Sequence, residues 1–434
     1  MRKKVIFSLV SVLAVLLAIG GYLLYVHEKE TRVKLSEEKS RAEILNYKKP
    51  LTDKVGSFVW LYAYQKGSKK NREYIQSQVQ LAKKSDLKYV VLPVVFYKNY
   101  IKYGKFDFDE LDMAIRIARK EHLKPILVFS SDNSDDTQEY KKNHNVVVNK
   151  YGRLIKKTIV RYKNQGVVWQ MWNEPNSLFW FNQSEDGNSV ALTKAWNELG
   201  RKMKHWVRQF DPRSVFLGGA IAGNYEDSKK AITLALSDGL ASYSDAIANH
   251  PYLSSDKPDN GAPENLLSLN SRKLLASLEN SESKKQINQI PLVTTEFGYS
   301  MQKTHQGVWS EGDQANYLAR SIFVLDMLHQ PIISTYCLVD EGNGDGQWGM
   351  YSGQAPRYVA KQSGQLIVQL LSNLNGFTLN TRIKQESSRD YVLEYTKKST
   401  ENRYVCWTMG SNHVIQVAGQ NVELSQTPQI VYAK

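Results

Sequence analysis

Eight short apolar runs, each followed by a stretch with helical spacing, occupy residues 55–372 of the 434-residue chain. Runs rich in Val and Ile are typical of strands that are buried on both faces, and their regular alternation with amphipathic stretches predicts a parallel sheet covered by helices. Eight such units predict an α/β fold, a (β/α)8 TIM barrel. The predicted strands are Val55 to Leu61, Tyr89 to Phe96, Pro125 to Phe129, Val167 to Trp172, Val215 to Gly219, Ala246 to Asn249, Pro291 to Thr295 and Ile332 to Leu338.

The intervening helices are predicted near residues 71–84, 109–121, 149–163, 189–209, 227–240, 264–279, 313–328 and 357–372. An open, doubly wound sheet is the alternative arrangement of alternating strands and helices. The sequence disfavours it, because no GxGxxG motif follows the first strand and no GxxxxGK motif occurs anywhere. Nucleotide binding is therefore not expected.

After residue 372 the pattern changes to short alternating apolar runs that are separated by polar turns. Runs such as Tyr391 to Tyr395, Tyr404 to Trp407 and Ile430 to Tyr432 are typical of antiparallel strands. We therefore predict a barrel in residues 51–372 and a small β-domain in residues 373–434. A unit of about 60 residues buries little core by itself, so we expect it to pack on the barrel, and we favour structural support over sugar binding as its role.

The N-terminal end carries 22 residues without a charge, Val5 to Val26, preceded by Arg2, Lys3 and Lys4. A helix of that length spans about 30 Å of hydrocarbon, at about 1.5 Å per residue. Residues 1–26 are therefore predicted to form a cytoplasmic tip and a transmembrane helix. A cleaved signal peptide, which would leave a secreted protein, is the alternative, but its apolar region is usually shorter, at about 7–15 residues.

Residues 27–50 alternate acidic and basic side chains and end at Pro50, a pattern that predicts a solvated helical stalk. The basic residues ahead of the apolar run favour a cytoplasmic N-terminus. The predicted localisation is therefore the cell membrane, with a single pass and with the barrel outside the cell.

Charge and cysteine content exclude several classes of function. Lys and Arg number 57 against 43 Asp and Glu, but the lysines occur as scattered pairs without interleaved aromatic residues, so no nucleic-acid partner is predicted. The two cysteines, Cys337 and Cys406, lie in different predicted units, and the eight histidines show no HExxH or Cys/His pattern. We predict no disulfide, no metal and no organic cofactor.

Two glutamates directly follow predicted barrel strands. Reactive side chains of an eightfold barrel lie at such strand ends, and an acidic residue there is costly unless it is solvated, paired or used. Cleavage of a glycosidic bond requires one protonated and one ionised carboxyl group beside the sugar. Glu174 and Glu296 are therefore the predicted catalytic pair, with structural ion pairing as the alternative. The motifs are Trp172-Asn173-Glu174-Pro175-Asn176 after strand four and Thr294-Thr295-Glu296-Phe297-Gly298 at strand seven.

These two motifs, whose glutamates are 122 residues apart, resemble those of clan A glycoside hydrolases, most nearly family 39 and next family 5. The resemblance covers residues 55–372, and the appended β-domain is also similar to family 39. It implies a retaining enzyme in which Glu174 is the general acid/base and Glu296 is the nucleophile.

The resemblance also implies sugar-binding roles for four further residues. Asn173 matches the residue that hydrogen-bonds the sugar 2-hydroxyl. His250 and Tyr252 match a pair that lines the same subsite, and Trp348 resembles the aromatic floor under the reacting sugar. A turn cap for Asn173, a core position for His250 and plain packing for the two aromatic residues are the alternatives.

Trp60 and Trp180, with Phe181, are candidates for further sugar platforms, because aromatic ring faces stack on pyranose C–H surfaces; plain burial is the alternative. The chain departs from family 5 at the end of strand two, where that family usually carries an Arg and this sequence reads Leu92-Pro93-Val94. If Leu92 takes that place, a partner of the nucleophile is missing. This argues against family 5 and its typical substrates more than against the chemistry.

The sequence therefore predicts a retaining glycoside hydrolase that cleaves β-linked polysaccharide or oligosaccharide at the cell surface, for example in the processing of a capsule or exopolysaccharide. A transglycosylase, in which an acceptor sugar replaces water, is one alternative. A non-catalytic polysaccharide-binding or assembly protein that keeps only the groove is the other. The hypothesis requires the carboxyl groups of Glu174 and Glu296 to face each other at about 5.5 Å or less.

Overall fold

Eight parallel strands close into a barrel, as predicted. The computed structural model describes residues 22, 25–96, 100–101, 105–130, 144–175, 189–223, 232–253, 261–268, 289–301, 310–341, 346–398 and 401–433. Each strand pairs with its neighbours in sequence, and the last pairs with the first, with Val55 opposite Ile333. The strands are β1 (Val55–Phe58), β2 (Tyr89–Val95), β3 (Lys124–Ser130), β4 (Val168–Gln170), β5 (Phe216–Ala222), β6 (Ala246–His250), β7 (Leu292–Thr294) and β8 (Ile333–Thr335).

Helices cover the outside of the barrel at the predicted places. The described helices are α1 (residues 25–44), α2 (Lys69–Lys84), α3 (Asp109–Lys120), α4 (His144–Tyr162), α5 (Ser189–Phe210), α6 (Leu240–Tyr243), α7 (Glu311–Met327) and α8 (Gln362–Asn373), and residues 232–237 are helical as well. The helix predicted near 264–279 is described only at its start, as the short 3-10 helix Pro263–Leu267, because residues 269–288 lie outside the described residues.

One predicted helix begins later than expected. It was placed near residues 357–372, whereas α8 begins at Gln362 and is preceded by a hairpin of β9 (Tyr351–Gln354) and β10 (Arg357–Ala360). Exposed and half-buried residues alternate along β10, which is the period of a strand. Glu341 holds this hairpin from outside, since its carboxylate accepts hydrogen bonds from the Ala355 backbone N–H and the Tyr358 hydroxyl. This tertiary contact has no signature in the local sequence.

Side chains from strands β1 to β7, and residues that flank β5 and β8, fill the interior of the barrel, which is therefore a packed core rather than a pore. This interior cluster consists of Phe58, Tyr89, Val91, Ile126, Val128, Val168, Val215, Leu217, Ala220, Ala246, Ala248, Val293, Ile332 and Cys337. Trp60 and Tyr336, which follow β1 and β8, pack against it together with Trp348. Ile44 and Leu45, at the end of α1, also pack against it.

The predicted membrane segment lies almost wholly outside the described residues, which include only residues 22, 25 and 26 of it. Within the part of the chain that the structure describes, no helix is both long and apolar enough to cross a bilayer. Residues 25–44 form the single helix α1, and most of its side chains are exposed.

Two antiparallel sheets follow α8, as predicted for the C-terminal part of the chain. A four-stranded sheet has the order β11, β12, β13, β16, and β14 pairs with β15 in a separate hairpin. The strands are β11 (Thr378–Arg382), β12 (Asp390–Lys397), β13 (Glu401–Thr408), β14 (His413–Val417), β15 (Gln420–Leu424) and β16 (Gln429–Tyr432).

A buried ion pair joins the start of the barrel to α7 and to the C-terminal sheet. Lys54 Nζ lies 2.5 Å from Asp326 Oδ1, and both side chains are almost fully buried. The hydroxyl of Tyr395, on β12, donates a hydrogen bond to Asp326 Oδ2 at 2.8 Å. Because a buried carboxylate is costly unless its oxygens are paired, this contact fixes the sheet against α7.

A second buried pair repeats the arrangement two turns earlier on α7. Arg320 binds Glu264 with two hydrogen bonds, and the indole N–H of Trp407, on β13, donates to Glu264 Oε1 at 2.7 Å. Trp407 also stacks on Phe323 of α7, with ring centroids 5.9 Å apart. The C-terminal sheet therefore completes the polar partners of two buried carboxylates and packs on the barrel, as expected.

We expect Tyr395→Phe to lower the free energy of unfolding by about 1–3 kcal/mol, because it leaves one oxygen of the buried Asp326 carboxylate without a donor. Denaturant unfolding followed by fluorescence measures this change. Tyr432→Phe is the matched control, since it removes an exposed hydroxyl that binds Asn373, and it should cost less than about 0.5 kcal/mol. Equal effects of the two substitutions would contradict the role given to Tyr395.

Candidate active site

Glu174 lies directly beyond β4 in a strained backbone conformation. Its φ is +42°, in the left-handed region that non-glycine residues rarely adopt, and its backbone N–H donates to the Ala220 carbonyl of β5 at 2.9 Å. Such strain persists only where the surrounding structure imposes it, and it is common at functional sites. The turn brings the Glu174 side chain, which is 17% exposed, to the carboxyl end of the barrel strands.

Glu296 follows β7 and is almost fully buried. Two residues later the chain requires glycine, because a Cβ on Gly298 would lie 2.3 Å from the carbonyl oxygen of Tyr336 and 3.0 Å from the Trp348 ring. The glycine therefore lets the segment after β7 pack closely against the end of β8, which fixes the position of Glu296.

His250, the last residue of β6, lies between the two glutamates. Its Nδ1 is 2.9 Å from Glu174 Oε1 and 3.6 Å from Glu296 Oε2, while its Nε2 is 3.0 Å from the Thr295 hydroxyl. One oxygen of each carboxyl group and one nitrogen of His250 all lie within 4.8 Å of one another. The two carboxyl groups therefore lie beside each other in one site, with His250 in contact with both.

Burial and charge set the pKa values of this cluster. Burial raises the pKa of Glu296 to about 7; the His250 charge opposes this increase, and the nearby Glu174 carboxylate adds to it. Burial by itself lowers the pKa of His250, but the charges of Glu296 and Glu174 outweigh it and the pKa is raised. The three groups therefore titrate as one coupled system, in which the two carboxyl groups favour the charged form of His250.

Tyr252 supplies the fourth polar contact. Its hydroxyl donates to Glu296 Oε2 at 3.3 Å, and burial followed by the charge of Glu296 raises its pKa well above the ordinary value. The phenol therefore stays protonated, and its hydrogen bond occupies Oε2 of Glu296.

The described part of the chain brings together one group of three metal-ligating side chains, Glu174, His250 and Glu296. Both nitrogens of His250 already contact oxygen atoms, Nδ1 that of Glu174 and Nε2 that of Thr295. Binding of an ion by His250 would require one of these contacts to break, so the arrangement fits a hydrogen-bonded relay better than a metal centre.

The structure places the predicted sugar-binding residues around this cluster. Asn173 Oδ1 is buried and, among the described residues, has no hydrogen-bond partner; the same holds for the indole N–H groups of Trp60 and Trp348. Trp348 packs edge-on against Tyr252, with ring centroids 5.7 Å apart. One acceptor and two donors beside the site are therefore not satisfied by the described protein groups. Trp180 and Phe181 lie outside the described residues.

Two residues at the site were missed from the sequence. Tyr336 lies at the end of β8 between Trp60 and Trp348, with ring centroids 6.2 and 5.8 Å from theirs. Thr295 orients His250 through Nε2. Both directly follow a strand of the structure, but the predicted strands ended at Thr295 and Leu338. Applying the strand-end rule to every strand would therefore have identified Thr295, whereas Tyr336 lay inside a predicted strand.

The comparison with family 5 needs a correction at β2. Leu92 belongs to the cluster between strands and helices, whereas Val91 faces the barrel interior. Because side chains alternate along a strand, Pro93 and Val95 are the inward positions nearest the mouth. Neither carries a charge, so β2 provides no cation toward Glu296, and the cationic contact among the described residues comes from His250.

We expect Glu174→Gln to lower the pKa of His250, because the substitution removes one of the two charges that raise it. NMR titration of the imidazole protons measures the change. His413 is the control in the same spectrum, since its raised pKa comes from the Ser411 carbonyl and Asp390 in the C-terminal sheets. An unchanged His250 titration would show that Glu174 and His250 are not coupled.

Comparison with known proteins finds the fold but no sequence family. No protein-family model and no curated protein sequence matches the chain. Solved structures do match, among them a family 39 glycoside hydrolase from the gut symbiont Bacteroides cellulosilyticus WH2, at 17% identity and a TM-score of 0.63 over 89% of this chain and 82% of that one.

Two further matches have the same barrel. The α-L-arabinofuranosidase of Thermotoga maritima is 11% identical, with a TM-score of 0.58 over 85% of this chain and 84% of that one. A family 5 glycoside hydrolase from Prevotella bryantii B14 is 13% identical, with a TM-score of 0.52 over 75% of this chain and 96% of that one. The chain therefore has the fold of the clan A glycoside hydrolases, as the resemblance of its motifs predicted.

Proposed function

We propose that the protein is a retaining glycoside hydrolase that acts on β-linked polysaccharide or oligosaccharide outside the cell, held at the membrane by residues 5–26. The observation that carries the proposal is the pair Glu174 and Glu296, whose carboxyl oxygens approach within 4.8 Å at the carboxyl ends of β4 and β7. The 22 uncharged residues from Val5 to Val26 support the anchor.

The chemistry takes two steps. In the first, Glu296 attacks the anomeric carbon while Glu174 donates a proton to the leaving oxygen, which gives a glycosyl-enzyme and a free alcohol. In the second, Glu174 removes a proton from water, which attacks the same carbon and releases Glu296 as a carboxylate. Two inversions give net retention of configuration.

His250 and Tyr252 position the two carboxyl groups. The Tyr252 hydroxyl bonds Oε2 of Glu296 and so directs Oε1 toward the sugar. His250 contacts both glutamates through Nδ1, which fixes the separation between the acid/base and the nucleophile. A cation between the two carboxylates also offsets their repulsion in this buried place.

The unsatisfied polar atoms of the site suit sugar hydroxyl groups. Asn173 Oδ1 accepts from a hydroxyl, and the indole N–H groups of Trp60 and Trp348 donate to one. Buried polar atoms gain most from a partner that restores their hydrogen bonds, so this set favours a polyhydroxylated ligand.

The preference for β-linked glycans rests on the motif resemblance. One structural relative is an α-L-arabinofuranosidase, so the same fold serves more than one type of glycosidic bond. A non-catalytic polysaccharide-binding protein is the second candidate, because the inward positions at the mouth end of β2 carry no cation.

We expect Glu296→Gln to reduce turnover of an aryl glycoside by more than about a thousandfold, because an amide does not form the glycosyl-enzyme. Glu423→Gln is the matched control: it removes an exposed carboxylate on β15 and should leave turnover unchanged. A loss of only a few-fold in folded Glu296→Gln would overturn the proposed mechanism. Binding of oligosaccharide by wild type without turnover would support the second candidate.

Glu174→Ala separates the two roles. An aryl glycoside with a good leaving group needs no acid, so this variant should form the glycosyl-enzyme and then stall. Added azide should restore turnover and give a glycosyl azide of retained configuration, measured by NMR of the product. An azide product of inverted configuration would exclude retention.

The ionisation of Glu296 sets the acidic limb of the pH profile. Burial raises its pKa to about 7, and the nucleophile must be ionised. We therefore expect kcat/KM to fall about tenfold for each pH unit below that value. Tyr252→Phe should move the limb to higher pH, since its hydroxyl hydrogen bond lowers the pKa of Glu296. A wild-type limb near pH 4, about the ordinary carboxyl value, would contradict this assignment.

A further inference from the structure

The end of α1 and the candidate active site lie at opposite ends of the barrel interior. Ile44 and Leu45 pack against the interior cluster, and so do Trp60, Tyr336 and Trp348. Trp60 follows β1, Tyr336 follows β8, and Trp348 lies in the loop after β8. All three therefore lie at the carboxyl ends of the strands. The contacts of neighbouring residues show at which end of the barrel Ile44 and Leu45 lie.

Contacts of three residues, Lys49, Arg41 and Tyr47, place the end of α1 at the amino ends of the strands. Lys49 Nζ donates to the Ile44 carbonyl at 2.7 Å and to the hydroxyl of Tyr89, the first residue of β2, at 3.1 Å. The two remaining contacts involve segments that lead into β5 and β8. The Arg41 guanidinium donates to the Pro212 carbonyl, and the Tyr47 ring lies 4.5 Å from that of His329.

These contacts close the bottom of the barrel with apolar side chains and hydrogen bonds. Lys49 adds a cation–π contact, 5.4 Å from the centre of the Tyr89 ring, and most of its side chain is buried. The Leu51 backbone N–H bonds the Phe377 carbonyl at 3.0 Å, which ties the segment after α1 to the C-terminal part of the chain as well. The base of α1 is therefore an integrated part of the barrel.

α1 extends from this base as an exposed helix. Residues 25–44 are continuous in one helix, which at about 1.5 Å per residue is about 30 Å long. Half of its residues are charged and most of its side chains are exposed, with an ion pair between Glu28 and Arg32. The helix leads from the amino ends of the strands toward the apolar run of residues 5–26.

We infer that the active-site mouth faces away from the membrane, so that the enzyme acts on glycan chains reached from the side opposite the bilayer and not on glycans linked to lipids of the same bilayer. The inference rests on the proposed function, from which it takes the membrane anchor. The base of α1 contacts the amino ends of the strands, so Glu174 and Glu296, at the carboxyl ends, lie at the end of the barrel opposite the attachment of the stalk.

The orientation is measured by energy transfer from single labelled cysteines to acceptor lipids. The full chain is reconstituted in vesicles of phosphatidylcholine with a headgroup-labelled acceptor. Lys163→Cys labels the turn before β4, at the bottom, and Gln65→Cys labels the loop after β1, at the mouth; both positions are exposed. Cys337 and Cys406 are buried and stay unlabelled. Lys34→Cys, on α1, is the positive control.

We expect transfer to decrease in the order 34, 163, 65. The efficiency at residue 65 should be at least ~2-fold below that at residue 163, because the strands and their loops add more than about 20 Å. Equal transfer at the two barrel positions, or stronger transfer at residue 65, would overturn the inference. If the chain is not recovered with the vesicles after flotation, both the proposed membrane anchor and the inferred orientation are wrong.

Turnover separates the inference from the catalytic proposal. If the labelled chain shows the expected order of transfer but hydrolyses no glycoside, the orientation stands and the catalytic proposal fails. If it hydrolyses an aryl glycoside, the same glycoside is offered free and coupled by a short linker to a vesicle lipid. We expect the coupled form to react at least ~10-fold more slowly, because a short linker cannot reach the mouth. Equal rates would contradict the inference.

Discussion

The contact of one histidine with two buried carboxylates is the constraint on which the site depends. Two glutamates whose oxygens lie within 4.8 Å cannot both be ionised in a buried place without a compensating charge. His250 supplies it through Nδ1, and Thr295 holds its other nitrogen. The same contacts that offset repulsion also fix the spacing of the carboxyl groups, so electrostatics and geometry are set by one side chain.

That contact requires strands β4, β6 and β7 to be held in register, and the rest of the molecule does this. The packed interior sets the distance between strands, and Gly298 lets the segment after β7 approach β8. Farther out, two buried carboxylates on or beside α7 take hydrogen bonds from Tyr395 and Trp407 of the C-terminal sheet. The sheet thus supports the barrel at α7, the helix that follows β7 and the proposed nucleophile Glu296.

Sequence periodicity predicted the strands well because a strand buried on both faces is recognisable from its own residues. All eight were found near their predicted bounds, and both glutamates lie at strand ends. Strand β10 was predicted as part of a helix, because the contacts of Glu341 that hold its hairpin come from elsewhere in the chain. Leu92 was considered for the place of a charged residue, but only the direction of its side chain shows that it faces the helices.

The amino-acid sequence alone determined the order of strands and helices, the two strand-end glutamates and the apolar N-terminal run, because each is a local pattern of residue types. Only the tertiary structure decided that Glu174, His250 and Glu296 share their charge, that Tyr336 joins Trp60 and Trp348, and that α1 meets the barrel at the end opposite the site. These facts depend on closure of the barrel. Closure brings His250, which is 76 positions from Glu174 in the chain, within hydrogen-bonding distance of it, and it brings Glu296, which is 122 positions away, within 4.8 Å.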